Sequence, residues 1–230
     1  MKKKGAGNIE FILAFILFVS FTAAAIYFFN PTKNVQNLES ARGYVTNILL
    51  ENVSVELDSY SVIIDASDNV NDLKVSISDI ASDKNVRVVN YSGNEMSSKR
   101  HSNNVCFTRD NEEKFVTLYF SEDLDDGGDE ACSRSTDSRI ASSMSTRVIS
   151  EKRFRQLKEN YNASYSSLKE HFNIPAGMDF SFSLEFPGDE TISAEKAVPL
   201  RREVFSDTEI KEILRNSGNL TFGYLTVKVW

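Results

Sequence analysis

Few residues in this chain of 230 are of a type and spacing that could do chemistry. Glu10 is a lone carboxylate at the head of an uncharged run, FILAFILFVSFTAAAIYFF, which extends from Phe11 to Phe29 behind Lys2, Lys3 and Lys4. Cys106 and Cys132 are the only cysteines, available either as one bridge or as two thiols. His101 sits in the polar stretch SSKRHSNN and His171 beside Phe172. Neither has a recognisable partner in the sequence for acid–base work. Six carboxylates in EDLDDGGDE, residues 122–130, offer calcium-type oxygens, but their spacing is not that of an EF-hand and the expectation is a solvated loop. Asn52, Asn90, Asn162 and Asn219 each open an N-x-S/T sequon and are candidate glycosylation sites. The sequence contains no phosphate-binding P-loop, dinucleotide glycine fingerprint, G-x-S-x-G elbow or H-E-x-x-H, so no enzyme, cofactor or metal site is expected.

Charge and hydropathy say more than the motifs do. A net charge of −7 argues against a nucleic-acid partner. Nineteen uncharged residues make a helix of roughly 28 Å, close to the hydrocarbon thickness of a bilayer. Buried in a soluble core, such a helix, apolar all round, would need more protein around it than this chain supplies. The membrane is therefore an expected partner, crossed once. The three lysines put the amino end in the cytoplasm and the remainder outside. Ala23-Ala24-Ala25 leaves a second reading open, a cleavable secretory signal.

Glu10 and the residues around it, KKKGAGNIEFILAF, resemble the class III signal peptide of archaeal type IV pilin-like proteins. The resemblance implies a prepilin peptidase as partner and cleavage between Gly5 and Ala6, removing residues 1–5 as a leader and leaving Glu10 fifth in the mature chain. Ala6 and Asn8 stand where family members commonly carry Gln and Ser. The new α-amino group would titrate near pH 7.7–8.0, about one helical turn from Glu10. A carboxylate at the membrane edge costs up to about 3 kcal/mol unpaired, so Glu10 either meets an Ala6 amine, its own or a neighbour's, or snorkels to the headgroups.

The elements that must carry these residues follow from periodicity. Residues 6–52 read as one long helix bent near Pro31. Its apolar half is 11–29, and its second half is amphipathic through Val35, Leu38, Ala41, Val45 and Ile48. Residues 53–230 read as a β-rich head with one or two packed helices, an α+β fold. Strands are expected at 53–57, 73–77, 86–89, 115–120 and 180–186, and in the closing LTFGYLTVKVW with a bulge at Gly223. A helix is expected from Ile149 to Phe172, capped by Ser150, with Phe154, Leu157, Tyr161, Leu168 and Phe172 on its core face. A short helix should open at the Ser206 to Glu209 capping box and close at Gly218, and residues 121–147 should form a surface loop.

If the head is outside the cell, a Cys106–Cys132 disulfide closes a 27-residue loop and contributes roughly 3–4 kcal/mol by the chain-entropy account. The resemblance implies a structural subunit assembling with itself or other pilin-like subunits through its apolar helix. The alternative is a membrane-anchored or secreted binding or adhesion module that does not assemble.

Overall fold

A computed structural model describes residues 6–28, 32–64, 72–78, 80–108, 113–125, 127, 134–135, 138–188, 190–200 and 202–230. Two helices open the chain, α1 (Ala6–Phe28) and α2 (Thr32–Val53), and the β-rich body follows. The chain is thus α+β with an apolar amino-terminal helix. Pro31, where a bend is expected, lies outside the described residues. Val53 ends α2 fully buried, and β1 (Ser54–Ile64) begins at the next residue without a loop.

Next come β2 (Asp72–Ser76), β3 (Asn85–Asn90), β4 (Glu95–Met96), β5 (Ser98–His101), β6 (Asn104–Thr108), β7 (Phe115–Ser121), β8 (Arg134–Ser135) and β9 (Ser138–Ser150). Two helices, α3 (Glu151–Ala163) and α4 (Tyr165–His171), precede β10 (Phe180–Glu185), β11 (Thr191–Ala194), β12 (Phe205–Leu214) and β13 (Leu220–Val229). Among the described residues one sheet has nine strands in the order β11-β10-β13-β12-β9-β1-β7-β3-β4, and a second has the order β5-β6-β2-β8. The large sheet is antiparallel except at its middle. There β12 and β9 run parallel and share only the pairs Ile213↔Ile149 and Leu214↔Ser150.

Burial divides around that narrow join. On one side α2, α3 and α4 cover β10, β11 and β13, with Val45, Leu49, Phe154, Phe172, Phe180, Phe182, Leu225 and Val229 in a single cluster. On the other, Val62, Val88, Leu118 and Phe120 of the large sheet pack against Leu73, Val75, Val105 and Phe107 of the small one. A third, smaller cluster sits at the join, made of Val55, Leu57, Leu124, Val148 and Leu214.

Four expectations need correction. The segment read as a helix from Ser206 to Gly218 is strand β12 and its hairpin turn. Gly218 has φ +83° and donates its N–H to the Arg215 carbonyl at 2.8 Å. A helix C-cap and a hairpin turn both demand positive φ, so the glycine serves either. The supposed loop 121–147 contains β8 and most of β9, a Ser-rich strand whose partner β1 supplies the order that its own side chains do not. Gly223 forms no bulge, since β12 and β13 stay in unbroken register from Phe205↔Val229 to Leu214↔Leu220. Its lack of a side chain answers close packing instead. A Cβ there would meet the Ile213 side chain and lie 2.7 Å from the Glu185 carbonyl oxygen. Finally, the helix expected over 149–172 is two helices joined at Ser164.

Candidate functional site

Helix α1 is the feature most unlike an ordinary globular element. From Glu10 to Tyr27 it is long and apolar enough to cross a membrane, and none of this stretch is buried within the chain. Phe11, Phe15, Phe18 and Phe21 all stand exposed, so the folded head does not bury them. Within it the Thr22 hydroxyl donates back to the Phe18 carbonyl at 2.7 Å, which removes an unpaired donor from the apolar surface. Glu10 lies exposed at the start of this stretch. Gly5 falls outside the described residues, and Ala6 opens the helix.

Helix α2 ties that element to the head. Val45, Leu49 and Val53 are its deepest residues, with Ala41, Ile48 and Leu50 flanking them. The expected stripe is thus present at Ala41, Val45 and Ile48, but it is centred one residue further round the helix. Tyr44 donates its hydroxyl to the Phe172 carbonyl at 2.9 Å, and Arg42 pairs with Asp207 of β12 at 3.5 Å.

The helices of the head are held by two charged knots. Ser150 caps α3 as expected, its hydroxyl accepting from the Arg153 N–H at 3.3 Å. Glu151, almost wholly buried, pairs with Arg155 at 2.6 Å and Arg215 at 2.9 Å and accepts from the Asn216 N–H at 3.1 Å. Exposed Glu190 bridges the same two arginines, whose hydrogen bonds lower its pKa, while Arg215 stacks on Phe186 at 3.8 Å. In the second knot one oxygen of Asp179 accepts from Tyr165 at 2.9 Å and from Lys169 and Lys196 at 3.2 Å each. Burial opposes the Asp179 charge, yet these three donors outweigh it and hold the pKa below 3.8. Burial raises the Tyr161 and Tyr165 phenols, and Tyr161 donates to the Phe180 carbonyl at 2.6 Å.

The acidic run is built into the structure at its beginning. Leu124 is buried at the sheet join, Glu122 and Asp123 pair with Arg153, and Asp125 approaches Lys152 at 3.8 Å. The basic partners come from α3, far along the chain, which is why the run reads as purely solvated in sequence. Asp126, Asp129 and Glu130 lie outside the described residues. Among those described, no group of three His, Cys, Asp or Glu is placed to hold a metal ion. His101 ends β5 in the small sheet and His171 ends α4 over the large one, so the fold gives them separate surroundings.

Cys106 is fully buried on β6, and no described cysteine is a free thiol; Cys132 lies outside the described residues. The four sequons differ in what their asparagines do. Asn52, near the end of α2, donates back to the Ile48 carbonyl at 2.7 Å. Asn90 organises a turn: its side-chain oxygen accepts from the Ser92 and Asn94 N–H groups at 3.0 and 2.8 Å, and its amide donates to Glu113 at 2.6 Å. Asn162 and Asn219 are exposed, on α3 and on the β12–β13 turn.

Two features have no counterpart in the sequence reading. Ile210, Phe222 and Tyr224 stand 64%, 62% and 50% exposed on one face of β12 and β13, with Ile210 directly across from Tyr224. The alternation of LTFGYLTVKVW is visible in the sequence, but which half of it faces water is not. The loop between β11 and β12 carries Leu200 almost entirely in solvent. The chain matches no protein-family model, no curated protein and no solved structure.

Proposed function

We propose that the chain is a structural subunit of the archaeal type IV pilin-like kind, held in the membrane by α1 before it assembles and displaying its head outside the cell. The observation that carries this reading is a 23-residue apolar helix whose stretch from Glu10 to Tyr27 has no burial inside its own chain, followed by an amphipathic helix that packs on the head. The head is built on α2, which begins close behind α1 in the chain, a connection that suits a repeating subunit better than a long tether would. The leader KKKG and Glu10 in fifth place after it supply the processing and pairing chemistry of that reading. The other reading, an anchored binding or adhesion module, is favoured by the exposed Ile210, Phe222 and Tyr224, a contact surface that needs no assembly.

Mass spectrometry of the mature amino terminus separates the two. Cleavage between Gly5 and Ala6 is the expected result in the native host. An intact leader, or a start at Ile26 after the Ala23-Ala24-Ala25 stretch, would count against a pilin-like subunit. In the exported protein the same spectra, taken without reduction, report whether Cys106 and Cys132 are joined.

A further inference from the structure

Two groups of exposed side chains on the head are complementary in charge and too far apart to meet within one chain. On β12 and β13, Ile213, Leu225, Val227 and Val229 turn toward the helices, so Ile210, Phe222 and Tyr224 face the other way and stand exposed. Tyr224 lies between Glu185 of β10 on one side and Ile210 of β12 on the other. Directly opposed residues of an antiparallel pair share a face, so a carboxylate, a ring and an aliphatic side chain form one row. Glu185 is exposed and makes no ion pair or side-chain hydrogen bond among the described residues.

The second group lies on β9, β1 and β7. Tyr60, Val62 and Ile64 of β1 turn toward the small sheet, so Ile63 faces the other way, with Arg139 opposite it on β9 and Phe115 opposite it on β7. Arg139 and Phe115 are exposed, and Arg139 makes no ion pair among the described residues. Met144, opposite Ser59, is exposed on the same face. At the join Ser54 lies opposite Ile149, and Ile63 is nine residues further on, about 30 Å along β1. Ile210 is three residues, about 10 Å, from Ile213 at the same join. Allowing one strand spacing of about 5 Å between β9 and β12, Arg139 and Ile210 of one chain are about 15 Å or more apart. Arg139 therefore cannot lie on the ring row of its own head.

We propose that these surfaces are the two halves of a contact between copies, in which the Arg139–Phe115 row of one head lies on the Glu185–Tyr224–Ile210 row of the next. This deepens the reading of the chain as a repeating subunit and rests on it. A second copy is the partner that carries the counterpart of both rows. The Arg139 guanidinium meets a carboxylate and a ring at one place, an ion pair and a cation–π contact together, while Phe115 covers Ile210 and Phe222. Aromatic side chains, Met and Arg are the types that protein interfaces favour. Because the two surfaces differ, the contact runs head to tail, repeating from copy to copy instead of closing as a two-fold pair. A few side chains on each face fall well short of the roughly 20–30 residues a side of a free-standing interface, so the contact acts on heads that α1 has already gathered at high effective concentration.

The test is made with the full chain in the native host, reading sheared filaments by electron microscopy and immunoblot. Arg139→Glu makes both surfaces acidic and Glu185→Arg makes both basic. Each variant alone should repel its own copies and yield at most about a tenth of the wild-type filament material. Produced together, the two variants match at every contact, and at least about half of the wild-type yield should return. Misfolded chains could not restore one another, so recovery in the mixture reads the contact itself. Wild-type yield from either variant alone overturns the contact and leaves the subunit reading standing. Failure of the mixture along with both variants overturns the contact in the same way. A host in which the wild type enters no filament overturns the subunit reading together with the contact.

Discussion

Asp179 shows how one side chain sets the acid limit of the head. Its carboxylate gathers Tyr165, Lys169 and Lys196, joining α4 to the segments on either side of β10 and β11. Its folded pKa lies below the model-peptide value of 3.8, so the stability it contributes is fully present above that value. That contribution is lost as pH falls through the lower, folded value. Thermal unfolding of the full chain in detergent should therefore show a falling midpoint below about pH 4. The Asp179→Asn variant should be less stable at pH 7 and should converge on the wild type at the acid end. A constant difference between the two across pH 2–7 would show that the knot does not titrate. Asp58 works in the same direction: burial opposes its charge, but Lys84 at 2.7 Å outweighs that and keeps the pKa low.

Among the elements, β12 and β13 carry the most consequence for how local sequence is read. The stretch from Ser206 to Gly218 satisfies a helix start and a helix stop, yet ten residues pair across to β13 without a break. Cross-strand pairs decide the outcome, among them the Thr208 and Thr226 hydroxyls at 2.9 Å and Ile210 against Tyr224. At Gly223 an added Cβ would meet the Ile213 side chain and the Glu185 carbonyl of β10. Gly223→Ala should destabilise the head by about 1–3 kcal/mol, as overpacking does at a site whose nearest atoms include backbone. Chemical denaturation measures this, and an unchanged midpoint would mean that the strands shift apart without penalty. The position needs a missing side chain, not a change of register, and those two demands leave the same residue in the sequence.

At the scale of the whole molecule, α1 from Glu10 to Tyr27 has no place in the core, and the proposed function rests on what it associates with. Glu10 is the one carboxylate at its edge. The apolar stretch that follows is sufficient for insertion alone, so removing that charge should leave processing and membrane residence intact. Apolar helix surfaces slide past one another at little cost, whereas a carboxylate bonded to a neighbour's Ala6 amine sets an axial register. Glu10→Ala is therefore expected to give a cleaved, membrane-resident protein that enters filaments poorly, read by electron microscopy of sheared surface material beside immunoblots of the membrane fraction. Normal incorporation would end the pairing role. Absence of any filament containing the wild type would favour the anchored module.

The sequence by itself determined the elements whose signal is local. An uncharged run long enough to span, the stripe from Phe154 to Phe172 and the alternation at 180–186 each announce their element, because burial on one face or all round leaves a period in the chain. Ser150 announces the start of α3 for a similar reason, since a cap is a bond between residues three apart. Tertiary structure decided whatever depended on a distant partner. Ser-rich β9 is a strand because β1 pairs with it along its length. Glu122 and Asp123 are anchored because Arg153 arrives from α3. Propensity acts over a few residues, while pairing and burial are settled by what the rest of the chain brings alongside, and a linear reading contains no record of that.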